Sequence, residues 1–544
     1  MKLLNSSILI QMIQMGARNL SNNKDMINKL NVFPVPDGDT GTNMNLSMQS
    51  AVQSIQQLEE SPSMELVLKA FSKGLLMGAR GNSGVILSQL FRGFCAALEQ
   101  TETIDTKQFA EGLQAGVDVA YKAVANPVEG TILTVAKDTA KFALTHAETE
   151  DDFVPFMETV IKEANRSLDH TPELLPVLKE VGVVDSGGKG LVTVYEGFLA
   201  MLKGEALPEP EMDVEALIKH EHEKSVQSFI SKDSIEKGYC TEFFVEITSD
   251  AFDENEFRDT LAQYGDSLLV ATTDDIVKVH IHSETPGEVM SIAQKYGELD
   301  RIDIENMRKQ YEHIVEQENA EVKDPIDVGI ITVAFGKGIT QTFNSIGATT
   351  IIEGGQTMNP STEDVLAAIE KTNAAHTFIL PNNKNIVLAA NQAKEISDKS
   401  ITIIPTKSVP EGISALLAYD ESFSNEENEQ AMLEAMQDIK TGSVTYATRD
   451  TVINNMEIKQ GAYIGLNDDT IKVTKDNQLD TIQALLAEIV DEDEDELITL
   501  FYGENVTEDE IENIESFVEE TFEDVEIEVH EGNQPIYAYI FMVE

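Results

Sequence analysis

From Ser6 to about Lys203, apolar residues recur at the three-to-four spacing that lines one face of a helix, beginning with Ile8, Met12, Met15 and Leu20. Amphipathic stretches at 64–78, 84–99, 106–125, 131–146, 153–168 and 188–203 continue the pattern, predicting an all-α domain over residues 1–204. The pattern then lapses. Residues 205–234 hold Leu207-Pro-Glu-Pro-Glu211 and the charged run Lys219-His-Glu-His-Glu-Lys224, the composition of a linker. From 235 to 318, strand-like stretches at Cys240–Thr248, Ser267–Thr272 and Ile276–His282 mix with helical spacing at Glu254–Tyr264 and Pro286–Tyr296, which predicts a small α+β middle domain.

A second hinge at Glu318–Ile326 precedes the region 327–544. There, strands at Asp327–Val333, Thr349–Ile352, Thr377–Leu380 and Ile401–Ile404 alternate with helices at 336–346, 361–371 and 385–396, the rhythm of an α/β domain with a parallel sheet. Its loops at Glu353–Ser361, Pro381–Asn385 and Pro405–Ser408 fall on the carboxyl edge, where such sheets bind ligands. Further on come Ser443–Arg449, a helix near 478–490, strands near 497–502 and 535–543, and the acidic run Asp491–Glu496, read as a solvated loop.

Length and charge narrow the function. At 544 residues the chain exceeds one core and suggests roughly three domains at ~100–200 residues each. Its 39 basic and 96 acidic side chains give 39 − 96 = −57, a charge that repels nucleic acid and anionic membrane surfaces. Only Cys95 and Cys240 are present, too few for a disulfide framework, so a reducing, cytoplasmic setting is expected. The apolar patch at Ile8–Ile10 is broken by Gln11 and Gln14 and reads as a helix, not a signal peptide. No apolar run reaches the ~18–20 residues of a transmembrane helix, so any dealing with lipid is expected through a carrier or a pocket.

The stretch Asn31-Val-Phe-Pro-Val-Pro-Asp-Gly-Asp-Thr-Gly-Thr-Asn-Met44 carries candidate chemistry. Pro34 and Pro36 stiffen the approach, and Gly38 and Gly41 let the backbone turn tightly. Asp37 and Asp39 are oxygen ligands of the kind Mg²⁺ takes, and the N–H groups of Thr40 to Asn43, at a helix start, suit phosphate. An acidic protein that binds ATP must recruit that anion through metal ions and local dipoles. The alternative is an Asp-Gly-Asp turn with an ordinary cap. Glycine-rich joints recur at Gly78-Ala-Arg-Gly-Asn-Ser-Gly84, Pro127–Thr131 and Val183–Gly190, each before an apolar helix; each is either a helix stop or part of a ring of N-termini converging on phosphate.

In the middle domain, His280 and His282 lie two apart on a strand, so both rings leave one face. Cys240, on a separate strand, could complete a zinc cluster, with Glu242 on the same face as a fourth ligand. The alternative is two surface histidines and a buried thiol serving as a small hydrophobe.

The motifs at Asn31–Met44, Gly78–Gly84, Gly130-Thr131 and Val184-Asp-Ser-Gly-Gly188 resemble the nucleotide-binding domain of the dihydroxyacetone kinase L-subunit superfamily. With a DhaL-like front, the Cys240/His280/His282 middle and a DegV-like back containing Gly354-Gly-Gln-Thr-Met-Asn-Pro-Ser-Thr-Glu-Asp364, the whole chain resembles the ATP-binding subunit of bacterial fatty acid kinases. The resemblance implies ATP-dependent phosphorylation of a fatty acid held by a separate DegV-type binding protein, giving acyl phosphate for phospholipid synthesis. It implies that Asp37 and Asp39 hold Mg²⁺, that Thr40, Gly41, Thr42 and Asn43 contact nucleotide, and that Arg80, Gly81, Asn82, Ser83, Gly130, Thr131, Asp185, Ser186 and Gly187 close round phosphate and base. The middle domain is then expected to position the partner's carboxylate, with zinc at Cys240, His280 and His282 either building that surface or polarising a group beside it. One departure stands out: the superfamily's third metal-binding aspartate, five residues before Asp37, is Val32 here, leaving either neutral Asn31 to supply an oxygen toward a second Mg²⁺ or phosphate and water to hold that ion. Two other functions fit these residues: a kinase of a small hydroxylated metabolite, and a non-catalytic lipid scaffold. Size and the DegV-like end are compatible with a homodimer.

Overall fold

The computed structural model describes residues 1–31, 38–124, 126–208, 237–249, 252–273, 276–308, 326–355, 359–453, 456–468 and 470–544. Asp37, with Val32 and both prolines of its approach, most of the 205–234 linker and the second hinge up to Pro325 lie outside the described residues. The chain forms two compact units, Met1–Pro208 together with Pro325–Glu544, and Glu209–Asp324.

The first part of the larger unit is all-α: α1 (Ser6–Asn28), α2 (Thr40–Gln56), α3 (Met64–Met77), α4 (Gly81–Leu98), α5 (Thr106–Ala123), α6 (Ile132–His146), α7 (Phe153–Leu174), α8 (Pro176–Val181) and α9 (Ser186–Lys203). Caps written in the sequence start several of these helices. The Asn5 side chain accepts from the N–H of Ile8, and Asp105 with Gln108 forms a reciprocal capping box on α5. The expected stretch 153–168 runs on to Leu174 and is followed by α8, whose Pro176 sits at a helix start where its missing N–H costs nothing. The core is aromatic as well as aliphatic: Phe94, Phe109, Phe153 and Phe156 are buried and meet edge-to-face at 5.1–6.3 Å between ring centres. Each such buried ring contributes about 1.5–3 kcal/mol. The helices α4 and α5 approach closely because Gly93 faces Gly116; a Cβ on Gly93 would lie 2.7 Å from the Gly116 Cα.

The rest of this unit carries β5 (Ile326–Ala334), after the strands of the middle unit named below, then β6 (Thr350–Glu353), β7 (Ala374–Leu380) and β8 (Ser400–Ile403), with intervening helices Lys337–Ser345, Thr362–Thr372 and Lys384–Ile396. These four strands pair in parallel in the order β6-β5-β7-β8, as the alternating pattern predicts. The region beyond departs from that rhythm. A mixed six-stranded sheet, order β13-β12-β9-β16-β14-β15, is built from β9 (Lys440–Tyr446), β12 (Tyr463–Asn467), β13 (Thr470–Lys475), β14 (Leu497–Tyr502), β15 (Glu526–Glu531) and β16 (Tyr539–Val543), with only β14 and β15 parallel. The short strands β10 (Thr451–Ile453) and β11 (Met456–Ile458) pair as a separate hairpin. The acidic run is not all solvated: Asp495 is 7% exposed, and its carboxylate accepts from Lys440 Nζ at 2.8 and 2.9 Å and from the N–H of Asp491.

The smaller unit is a four-stranded antiparallel sheet, order β2-β3-β1-β4, from β1 (Tyr239–Ile247), β2 (Gly265–Thr273), β3 (Ile276–Ser283) and β4 (Gly297–Asn306), with helices Glu254–Leu261 and Pro286–Ala293. Phe243, Val245, Phe257, Val277, Val279 and Ile281 form its buried core. The strand β4 has no counterpart in the alternation expected from the sequence. Its pairing with β1 shifts register between Glu242 and Phe244, and Arg301 has φ 46°, so the two-residue period breaks and Ile302 and Ile304 stay 50% and 39% exposed.

Candidate functional site

The starts of α2, α4, α6 and α9 meet at one end of the helical bundle. The Asn31 Oδ1 accepts from Thr40 Oγ1 at 2.8 Å and from Ser186 Oγ at 3.1 Å, which ties the chain before α2 to the start of α9. Ser83 Oγ, at the start of α4, lies 3.5 Å from the Thr40 carbonyl. Asp185 caps α9 by accepting from the N–H of Gly188 at 2.6 Å, and it also accepts from the N–H of Ile132 at the start of α6. Asp39, Thr40, Asn31, Ser83, Asp185 and Ser186 are therefore brought together, and Gly187 packs so closely on α6 that a Cβ there would lie 3.2 Å from that of Ile132. Gly81, at φ 56°, turns α4 tightly against α2, since a Cβ there would strike the Asn43 amide. Thr131 begins α6 without a side-chain cap, as Asp39 begins α2 and Arg80 begins α4. Gly130, at φ 85°, packs against Leu175 and gives its N–H to Thr134 Oγ1 at 2.8 Å.

The expected use of the α2 N–H groups is altered. Asn28, in the last turn of α1, takes the N–H groups of Gly41 (2.7 Å) and Thr42 (3.2 Å) on its Oδ1 and donates from Nδ2 to Thr42 Oγ1 (3.0 Å), while the N–H of Asn43 bonds the Asp39 carbonyl. Three of the four N–H groups expected to meet phosphate are thus satisfied within the protein. The spacing within the motif gives no hint of Asn28, because its contact depends on how α1 crosses α2.

Burial raises the Asp185 carboxyl to about 6, against the two N–H bonds that pull it down. Two other residues reach this end from the carboxyl half of the unit. The Arg449 guanidinium donates to the carbonyls of Lys29 and Asn31, and burial holds its pKa below the ordinary value. Asn359 donates from its amide to the Asp39 carboxylate and accepts from Arg80 Nη1 on its backbone carbonyl at 3.1 Å.

In the smaller unit, Cys240 lies opposite His282 and Glu242 opposite His280 in the β1–β3 register. Cys240, His280 and His282 are all buried, and their ligand atoms lie within 4.8 Å of one another. A tetrahedral zinc with bonds of 2.0–2.3 Å separates its ligands by roughly 3.3–3.8 Å, so a thiol and two imidazoles at this spacing fit the ion after a small contraction. Glu242 is not a member of the cluster; its carboxylate sits 3.0 Å from His280 Nδ1, where it can orient the ring. The His280 Nε2 is buried and has no hydrogen-bond partner among the described residues.

Comparison with known proteins assigns the family. Residues 34–200 match the DAK2 domain, 236–314 the middle domain of FakA-like fatty acid kinase proteins, and 329–544 the C-terminal domain of the same proteins. Protein YloV of Bacillus subtilis is 52% identical over 98% of this chain and 98% of its own. The chain belongs to the FakA-like fatty acid kinase family. Another relative, an uncharacterized protein of Staphylococcus saprophyticus, is 49% identical over 99% of both chains. Among solved structures, this FakA-like chain is similar to a DegV family protein of Corynebacterium glutamicum (13% identity, TM-score 0.31, 40% of this chain and 97% of that one). It is similar also to the dihydroxyacetone kinase of C. freundii (18% identity, TM-score 0.29, 36% of this chain and 34% of that one). No helix among the described residues is long and apolar enough to cross a membrane.

Proposed function

We propose that this chain is the catalytic component of a fatty acid kinase: it phosphorylates the carboxylate of a fatty acid delivered by a separate DegV-type binding protein, with ATP as donor, giving acyl phosphate for phospholipid synthesis. The observation that carries the proposal is the full-length family match joined to the convergence of Asp39, Asn31, Thr40, Ser83 and Ser186 at one end of a DAK2 helical domain. Asp37, Asp39 and Asn31 would hold Mg²⁺, and the donor set of two carboxylates and an amide oxygen suits that hard cation. Bound Mg²⁺ supplies charge neutralisation between two anions, the phosphate chain and the fatty carboxylate. Thr40, Thr42, Asn43, Ser83 and Ser186, with Gly41, Gly81, Asn82, Gly130, Thr131, Asp185 and Gly187, form the nucleotide cradle, and Arg80 is the cation that faces developing charge on the transferred phosphoryl group. A fatty carboxylate, with an ordinary pKa of ~4–5, is already an anion at neutral pH, so the chain needs no general base. Cys240, His280 and His282 would hold Zn²⁺ and shape the surface that receives the partner's carboxylate.

The test is hydroxylamine trapping of acyl phosphate from oleate and ATP, with and without a purified DegV-type fatty-acid-binding protein, for wild type and Asp39→Asn. Product that requires the partner and is lost in the variant supports the proposal. Product from a small hydroxylated metabolite without a partner, and none from oleate, refutes it.

A further inference from the structure

The carboxyl half of the larger unit holds groups that the proposed reaction needs. Asn359 is 1% exposed; its amide nitrogen sits on the Asp39 carboxylate and its carbonyl holds Arg80. Arg80 Nη2 is also 3.6 Å from the Asp364 carboxylate, and Asn82 Nδ2 donates to Asn385 Oδ1 at 3.3 Å. Backbone contacts reinforce these: Arg80 and Ser361 form an antiparallel bridge, and the Thr362 N–H donates to the Ala79 carbonyl at 3.2 Å. Behind them, Ala79 and Val85 pack on Ala389, and Gln392 Nε2 donates to the Leu76 carbonyl at 2.8 Å.

These contacts and a metal–nucleotide compete for the same groups, the Asp39 carboxylate and the Arg80 guanidinium. The Asn359 amide presents partially positive hydrogens to the same carboxylate that would ligate a divalent cation at ~2.0–2.1 Å. Arg80, bonded to a carbonyl and close to a carboxylate, is aimed at the carboxyl half instead of at phosphate. Turning the amide over would set its oxygen against the Asp39 carboxylate, which only an intervening cation could stabilise. As it stands the Asn359 Oδ1 is buried with no hydrogen-bond partner among the described residues, so the closed contact carries a penalty that opening relieves.

We infer that the segment from Asn359 to Asp364 is an autoinhibitory latch: it competes with Mg²⁺–nucleotide for Asp39 and Arg80, so that filling the cradle and closing the two halves are mutually exclusive. The inference rests on the kinase reading of that cradle. Linkage then makes the effect reciprocal, with nucleotide opening the latch and latch mutations tightening nucleotide.

The experiment uses the full-length chain and Mg·ADP as probe. Asn359→Ala is expected to tighten Mg·ADP by roughly 5-fold or more in calorimetry, at the lower end of ordinary coupling between sites. Asp364→Ala, at the rim of the same contact, is expected to act in the same direction. In wild type, Mg·ADP is expected to speed hydrogen exchange in the peptide holding Thr362, whose N–H bonds across to Ala79. Weaker binding by Asn359→Ala together with slower exchange at Thr362 would make Asn359 part of the metal site and overturn the latch. Unchanged affinity and exchange would overturn it while leaving the kinase reading intact. No Mg·ADP binding by any of these proteins would remove the kinase reading and the latch with it.

Discussion

Replacing Asp185 by Asn should stabilise the protein at neutral pH and leave it unchanged in acid. Asp185 does two things at the start of α9: its carboxylate accepts from Gly188 and Ile132, and its own N–H donates to Thr171 Oγ1 at 3.1 Å. Burial nevertheless dominates and lifts its pKa from 3.8 to about 6. A raised carboxyl pKa means that the folded state holds its proton more tightly than the unfolded chain. The stability this gives is fully present below about pH 4 and is lost as pH rises toward and through about 6. The interval between 3.8 and about 6 corresponds to about 3 kcal/mol. Asp185 retains some exposure, so solvent screening brings the working figure to about 1–2 kcal/mol. Asn keeps an acceptor for the cap and removes the charge, so the melting temperature should rise by about 1–2 °C at pH 7.5 for a unit of this size. Below about pH 3.8 Asp185 is protonated in the unfolded as well as the folded wild type, and the two proteins should melt together. Scanning calorimetry of both proteins from about pH 3 to 8 makes the comparison. A difference that does not depend on pH, or a variant that melts lower at pH 7.5, would refute the assignment of a buried, costly charge.

Two further substitutions probe the proposed cradle and the candidate metal cluster. Gly41→Ala would drive a Cβ into the Lys24 carbonyl and to 3.0 Å from Asn28 Oδ1, prising α2 from α1 at the point where Asn28 holds the Gly41 and Thr42 N–H groups; a loss of about 1–3 kcal/mol in denaturant melts, with weaker nucleotide binding, is expected. Cys240→Ser should abolish bound zinc in plasma emission analysis of the purified chain while leaving Mg·ADP binding unchanged, and wild type with no zinc would dispose of the cluster.

What could be read from the chain follows the range of the forces involved. Helix faces and the parallel strands come from local apolar periodicity, so the bundle and the β5–β8 sheet emerge from the residues that form them. The histidine pair is legible for the same reason: two residues apart on a strand means one face, and Cys240 then falls opposite His282 by register. The six-stranded sheet was not legible, because β16 inserts between β9 and β14, and such order depends on which distant strands bury each other. Asp495 looked solvated within its acidic run because Lys440, its partner, is 55 residues away. The cradle divides along the same line. Glycines, aspartates and hydroxyls at helix starts mark it in the sequence, since close backbone approach leaves local signs. Asn28, Arg449 and Asn359 do not, since each acts through a crossing of elements far apart in the chain, and Asn359 meets Asp39 across 320 residues. Local motifs therefore mark which helix starts lie together. The contacts made on them from the carboxyl half join residues far apart in the chain, and these leave no period to read.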